Sequence, residues 1–201
     1  MRFREMAIPD AFRIEPEHHR DERGGLHEAY RDDALREVLG RPFVIRQVNY
    51  SVSVRGTLRG LHATVTPPGE AKLVTCVRGA ILDVALDVRR GSPAFGVFEV
   101  TRMDEASGTS VYLGEGLAHG FLALTDEARV SYLCSTEYAP GRMIDVQALD
   151  PELGIPWGLT GPPLRSAKDA AAPTLGQVAA AGRLPDYRTC RALHERVPRE
   201  T

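Results

Sequence analysis

The chain has 201 residues, 43% hydrophobic and 26% charged, an ordinary globular composition that argues against a disordered, collagenous or coiled-coil protein. Lys and Arg total 25 against 27 Asp and Glu, so a formal net charge of -2 gives no electrostatic case for binding nucleic acid or an anionic membrane. The length suits one domain over residues 1–201, with a core at about 42–140, an N-terminal arm over 1–30 and a C-terminal helical tail over 174–201.

In chain order, DDALREVL from Asp32 to Leu39 starts acidic and stops at Gly40, which predicts a short helix. Val44 to Ser53 alternates as a strand does, with Gln47 and Asn49 on one face. Further strands are predicted at Lys72 to Val77, Ala80 to Val88, Val97 to Thr101, Ser110 to Leu113, Phe121 to Leu124 and Val130 to Cys134. Arg78-Gly79 and Arg90-Gly91-Ser92-Pro93 are turn signals between them. Thr174 to Ala181 stops at Gly182 with Pro185 close behind, which predicts a second helix. The charged tail from Arg188 to Thr201 reads as a peripheral, frayed third helix. Short strands at this spacing predict a mainly β protein, a sandwich or barrel with a few short peripheral helices.

Cys76, Cys134 and Cys190 are odd in number, widely spaced and without a CxxC pair, which argues against a disulfide framework or a thiolate zinc site. Cys76 and Cys134 lie in apolar runs and read as buried thiols. The first residues, MRFREMAIPDAF, lack a signal-peptide core, and no window has the length of a membrane span, so the expected location is the cytoplasm.

Five segments carry groups able to do chemistry. LRGLH brings Arg59 and His62 into a Gly-containing segment after the polar-faced strand. Lys72 opens an apolar strand, either as a solvated edge residue or as a cation aimed at an oxyanion. His119 lies between a Gly-rich turn and an apolar run, Tyr132 within a strand and Tyr138 near a turn. Asp169 is either a helix cap or a partner for an imidazole, whose basicity and tautomer it would then control. A metal site is disfavoured: no second His stands near His62, and His18 and His19 are adjacent, so on a strand they point to opposite faces. Only His62 and His119 remain as plausible ligands, too few for a first-row metal. A glycine-rich dinucleotide loop is absent, so no cofactor is expected.

Taken in order, DERG (21–24), QVNYSVS (47–53), RGTLRGLH (55–62), AKLVTCVRG (71–79), LDVALDVRRGSPAFG (82–96), LGEGLAHGFLAL (113–124), YLCSTEYAP (132–140), LDPELGIPW (149–157) and SAKDAAAP (166–173) resemble the dTDP-4-dehydrorhamnose 3,5-epimerase family. The resemblance implies a cupin-like jelly-roll barrel. It implies epimerisation of a dTDP-4-keto-6-deoxyhexose at C3 and C5, or at a single carbon as in antibiotic-sugar pathways. It also implies roles: His62 as general base paired with Asp169, Tyr132 as the acid on the opposite face of the sugar, and Lys72 at the ketone oxygen. Arg23, Glu28, Gln47, Asn49, Arg59, His119, Tyr138 and Lys168 would hold the dTDP-sugar. The N-terminal strand would cross to a second subunit, so that Arg23 and Glu28 serve the partner's site in a homodimer.

The chemistry suits those roles. A hydrogen beside a ketone is acidic only when the enolate is stabilised as it forms, which calls for a base working near neutral pH and a cation at the oxygen. Inversion needs a separate acid on the other face. The chain departs from the usual family pattern at Gly25 and Leu26, where aromatics are common, and at Ala63, Ala94 and Met143. Ala63 in place of an aromatic predicts more room near the base.

Overall fold

A computed structural model describes residues 1–195. Among the described residues, thirteen strands and four helices follow one another. They are β1 (Arg2–Glu5), β2 (Ala11–Glu15), β3 (His19–Asp21), β4 (Gly24–Leu26), α1 (Asp32–Leu39), β5 (Gln47–Ser53), β6 (Leu58–Thr64), β7 (Lys72–Arg78), β8 (Ala80–Asp87), β9 (Phe98–Asp104), β10 (Ser110–Leu113), β11 (Leu117–Ala123), β12 (Ala128–Cys134), β13 (Met143–Asp145), α2 (Ala167–Ala170), α3 (Leu175–Ala180) and α4 (Tyr187–Glu195). Two antiparallel sheets face each other, one in the order β1-β2-β10-β7-β12-β5 and the other β13-β6-β11-β8-β9, while β3 and β4 pair as a separate hairpin. Apart from β1–β2 and β8–β9, the neighbours within both sheets are non-consecutive, the mark of a jelly-roll rather than a meander.

Alternation decides what fills the space between the sheets. Ile81 and Ala85 of β8, Leu117, Phe121 and Ala123 of β11, Val74 and Cys76 of β7, and Ala128 and Val130 of β12 pack into one buried cluster with Met6, Ile8 and Ala11 from the N-terminus. The opposite faces of β6, β8 and β11 do not meet water either. Leu58, Leu61, Val84, Leu86, Ala118 and Leu122 are covered by Ile144, Val146, Trp157, Leu175 and Val178 from the C-terminal third. Strands buried on both faces read as continuous apolar runs, which is why β8 was evident from its sequence. On the far side of the other sheet, α1 lays Leu35 against Phe43, Leu73 and Tyr112. Gly40 ends α1 in the left-handed conformation, φ 66°, with its N–H returned to the Arg36 carbonyl.

The buried core therefore reaches beyond residues 42–140 at both ends, because β1 and β2 belong to the chain's own larger sheet. The C-terminal tail is also more integral than its charge implied. Cys190 of α4 is fully buried, and Arg191 pairs with Asp10. The wholly buried Arg89 guanidinium bonds Asp87, Asp10 and the Pro9 carbonyl and lies against the Tyr187 ring at 4.8 Å. That network joins the β1–β2 turn, the end of β8 and α4. The remainder of the predicted third helix, residues 196–201, lies outside the described residues. No described helix is long and apolar enough to cross a membrane.

Candidate active site

Near the end of the barrel where β5 and β6 run, the apolar filling gives way to polar side chains. The inward positions of β5 are Gln47, Asn49 and Ser51, those of β6 are Arg59 and His62, and β7 opens there with Lys72. The result is a cavity of about 390 Å³ lined by these residues with Glu70, His119, Phe121, Tyr132, Cys134, Thr136, Tyr138, Met143, Ser166, Lys168 and Asp169. Phe121 belongs to the cavity wall and to the apolar cluster beneath it.

His62 sits on β6 opposite Asp145 of β13 on one side and His119 of β11 on the other. Between those contacts β6 and β11 approach unusually closely. A Cβ on Gly60, whose φ is +106°, would lie 2.7 Å from the His119 carbonyl oxygen, and one on Gly120 would lie 2.6 Å from that of Arg59. Only glycine fits at either position. The ladder shifts register there, between His119 and Phe121, so Arg59 and His62 both reach the cavity although they are three residues apart.

Asp169 comes from α2, a single turn capped by the Ser166 hydroxyl, which accepts the Asp169 N–H at 3.0 Å. Ser166 is thus the cap, and the Asp169 carboxylate is left to meet His62 Nε2 at 2.7 Å. Burial pushes the Asp169 carboxyl up, but the His62 ring, Ser166 and the Gly60 N–H outweigh it and hold the group below the usual carboxylate range. An ionised carboxylate only accepts, so Nε2 carries the hydrogen and Nδ1 is the basic nitrogen.

Tyr132 faces His62 from the opposing sheet, on β12 between Asn49 of β5 and Val74 of β7. Burial drives its phenol well above the ordinary value. The Ser51 hydroxyl offsets part of this and the Asp83 carboxylate adds to it, so the group stays protonated. The His119 ring stands edge-on to Tyr132 at 5.9 Å. Behind it, Asp83 of β8 is fully buried and meets His119 Nε2 at 2.5 Å, which fixes the ring's orientation. Lys72 Nζ lies 3.5 Å from Glu70 Oε1, and both side chains are largely buried. Arg59 is anchored to the end of β5, donating from Nε to Ser53 Oγ and from Nη2 to the Val52 carbonyl. Gln47 accepts the Tyr138 N–H at 2.7 Å and donates to Asn49, which ties the mouth of the cavity together. Lys168 Nζ pairs with Asp145 at 2.9 Å.

The structure therefore gathers His62, Tyr132, Asp169, Lys72, Gln47, Asn49, Arg59, His119, Tyr138 and Lys168 around one cavity. Arg23 and Glu28 are not among its lining residues. Arg23 lies at the turn of the exposed β3–β4 hairpin, bonded to Asp21, and Glu28 follows the hairpin and pairs with Arg31. His119 lies within β11 rather than ahead of a strand, and LRGLH is itself most of β6. Ala63 points away from the cavity into the outer apolar cluster, so its small size gives His62 no extra room. Asp83, Glu70 and Asp145 went unread in the sequence. Asp83 was the most accessible of them, because it shares the inward phase of Ile81 and Ala85 in an otherwise apolar run. Among the described residues no group of three or more His, Cys, Asp and Glu side chains is arranged to hold a metal ion.

A carboxylate-backed imidazole on one sheet, with a protonated phenol and an ammonium on the other, equips a cupin-fold enzyme for acid–base chemistry on a bound ring. Comparison with known proteins narrows this. A sequence model of the family described as dTDP-4-dehydrorhamnose 3,5-epimerase matches residues 5–177. The dTDP-4-dehydrorhamnose 3-epimerase of Streptomyces niveus is 48% identical over 193 residues, 96% of this chain and 93% of that protein. The solved Mycobacterium tuberculosis rmlC epimerase superposes with a TM-score of 0.96 at 43% identity, covering 98% of this chain and 100% of that one. ChmJ, a 3'-monoepimerase from Streptomyces bikiniensis solved with dTDP-quinovose, superposes at 0.92 with 47% identity, covering 94% and 96%. The chain belongs to the dTDP-4-dehydrorhamnose 3,5-epimerase family.

Proposed function

We propose that the protein inverts C3 and C5 of a dTDP-4-keto-6-deoxyhexose by removing and returning a proton at each carbon. The observation that carries the reading is the placement of His62, backed by Asp169 at 2.7 Å, and Tyr132 on opposing walls of one cavity. His62 Nδ1 takes the proton beside the ketone, and the electron pair moves onto the oxygen as an enolate. Lys72 offers its ammonium to that oxygen, and Asp169 stabilises the imidazolium through Nε2. The Tyr132 phenol then gives its proton to the carbon from the other face. Solvent reprotonates the phenolate and takes the proton from the imidazolium, so the enzyme ends as it began. Arg59, Gln47, Asn49, His119, Tyr138 and Lys168 hold the nucleotide sugar, with the cations suited to the pyrophosphate.

We further infer a homodimer. β5 is the edge of its sheet, and its outward face exposes Val48, Tyr50 and Val52. An unpaired strand with an apolar outer face invites a second copy. The β3–β4 hairpin, exposed along its length, is the part of the arm free to reach a partner's cavity with Arg23 and Glu28. Because β1 and β2 lie in the chain's own sheet, an exchange would involve the hairpin rather than the whole arm.

A second reading, inversion at C3 alone, is favoured by the 48% identity to the Streptomyces niveus 3-epimerase. Incubation with dTDP-4-keto-6-deoxyglucose in heavy water, followed by NMR, decides between them. Deuterium at both carbons with an inverted product is the expected result. Deuterium at C3 alone selects the second reading, and none at either carbon overturns both.

A further inference from the structure

His62 Nε2 meets two carboxylates. Asp169 Oδ1 is 2.7 Å away and Asp145 Oδ1 3.7 Å away. Asp145 is placed by the ladder itself, as the residue of β13 directly opposite His62. Its Oδ1 is buried and, among the described residues, receives no aligned hydrogen bond. The same atom lies 2.9 Å from Lys168 Nζ, a contact of charges rather than a directed bond. Lys168 is followed immediately by Asp169 on the one-turn α2, so the Lys168–Asp145 pair fastens the element that carries the base's partner to the strand beside the base.

The Lys168 side chain is about half exposed, and such ion pairs contribute little to stability. The position of this one matters more than its strength, because a single oxygen faces both an ammonium and the base. We propose that Asp145 is a positioning residue for His62, its charge balanced by Lys168, and that together they set the pH at which the imidazole can accept the substrate proton. This deepens the reading of His62 as the base and rests on it. The other titratable or charged groups around the ring are Asp169 of α2, His119 of β11, Arg59 of β6, the Lys72–Glu70 pair across the cavity, and Tyr132 and Cys134 of β12. Asp145 is the carboxylate within 4 Å of the ring whose charge can be removed while the Asp169 bond stays in place.

The sign follows from the charges. The base works neutral, so activity falls on the acidic side as the ring gains a proton. Asp145→Asn removes a negative charge beside the ring and leaves Lys168 uncompensated, so the acidic limb of the kcat/KM profile moves to lower pH. Lys168→Gln unmasks the Asp145 carboxylate and moves the limb to higher pH. The profile of kcat/KM reports the free enzyme, so weaker substrate binding in Lys168→Gln does not obscure its position.

The experiment measures kcat/KM for deuterium exchange against pH in the wild type, both single variants, the double variant and His62→Ala, with thermal melts as a check on folding. Opposite shifts of roughly half to one pH unit are expected in the single variants, with the double variant back near the wild type. Shifts of the same sign, or none, overturn the role of Asp145. If Asp145→Asn does not fold, the upward shift in Lys168→Gln decides alone, and its absence overturns the proposal. His62→Ala separates the two levels. Abolished exchange there with unmoved limbs in the others removes only the inference about Asp145, whereas unchanged exchange in His62→Ala removes the base itself and this proposal with it.

Discussion

Asp169→Asn tests the central pair with little change of shape. The carboxylate, itself almost closed to water, accepts from the partly exposed His62 Nε2 at 2.7 Å. A hydrogen bond to a charged partner contributes about 1.5–3 kcal/mol, and it is strongest here when the ring carries the abstracted proton. Each ~1.4 kcal/mol is tenfold in rate, so loss of the charge alone lowers kcat by about 10- to 150-fold. The amide can also turn its NH2 toward Nε2, which forces the ring hydrogen onto Nδ1 and blocks the base; the loss then approaches ~10⁴-fold, as for a triad Asp→Asn change. Because Asp169 acts on the charged ring rather than on the resting substrate, KM should stay within about threefold. The assay is deuterium exchange beside the ketone, followed by NMR over a range of substrate concentrations. A folded Asp169→Asn protein exchanging at the wild-type rate would refute the reasoning. The same pair has a stability signature. The Asp169 carboxyl is held below its ordinary range, so its ionised form favours the fold above the unfolded value of about 3.9, and that contribution is lost as pH falls through the lower folded value. Asp169→Asn should therefore flatten the melting temperature against pH in the acid range.

Tyr132→Phe should separate exchange from inversion. Deuterium still enters from the His62 face within about tenfold of the wild-type rate, while inverted product falls by about 10²-fold or more; equal losses of both would remove Tyr132 as the acid. Burial pushes Cys76 and Cys190 up to about 11 and Cys134 up to about 12, although Cys134 borders the cavity. At pH 8 their thiolate fraction is about 10⁻³ or less, against roughly a quarter for a free thiol, so the native protein should resist Ellman's reagent until unfolded, and rapid stoichiometric reaction would contradict this. Val48→Asp, on the outward face of the β5 edge, should leave a folded monomer by light scattering; an unchanged dimer would exclude that edge as the interface.

The parts of the fold legible from sequence were those where local chemistry and tertiary role agree. α1 has its acidic first turn and Gly40, β10 a short apolar run, and β8 two buried faces. β6 was hidden because its inward positions serve the cavity. Arg59 and His62 replace the apolar residues that would mark a strand, and Gly60 is small because β11 presses against it. The first half of β11 was obscured in the same way by His119 and Gly120. At the site, the candidates that line the cavity were legible from their segments, whereas Asp83, Glu70 and Asp145 were not. Asp145 acquires meaning only from the strand opposite, which no local pattern discloses; the phase of β8 marks Asp83 as inward, but its partner His119 lies on another strand. Arg23 and Glu28 illustrate the converse: their segment is recognisable, but nothing within one chain brings them to the cavity. Ala63 shows that a substitution next to a key residue can face the other side of the sheet.

His62 and Tyr132 stand on separate sheets, and the hydrocarbon layer that includes Phe121 lies between those sheets. On the proposed mechanism, the distance between the two proton-transfer groups is a spacing between two slabs, held apart by packed side chains such as Ile81, Met103 and Phe121. Trimming that filling far below the sugar would let the slabs settle together. Inverted product would then fall first, while exchange from the His62 face persists.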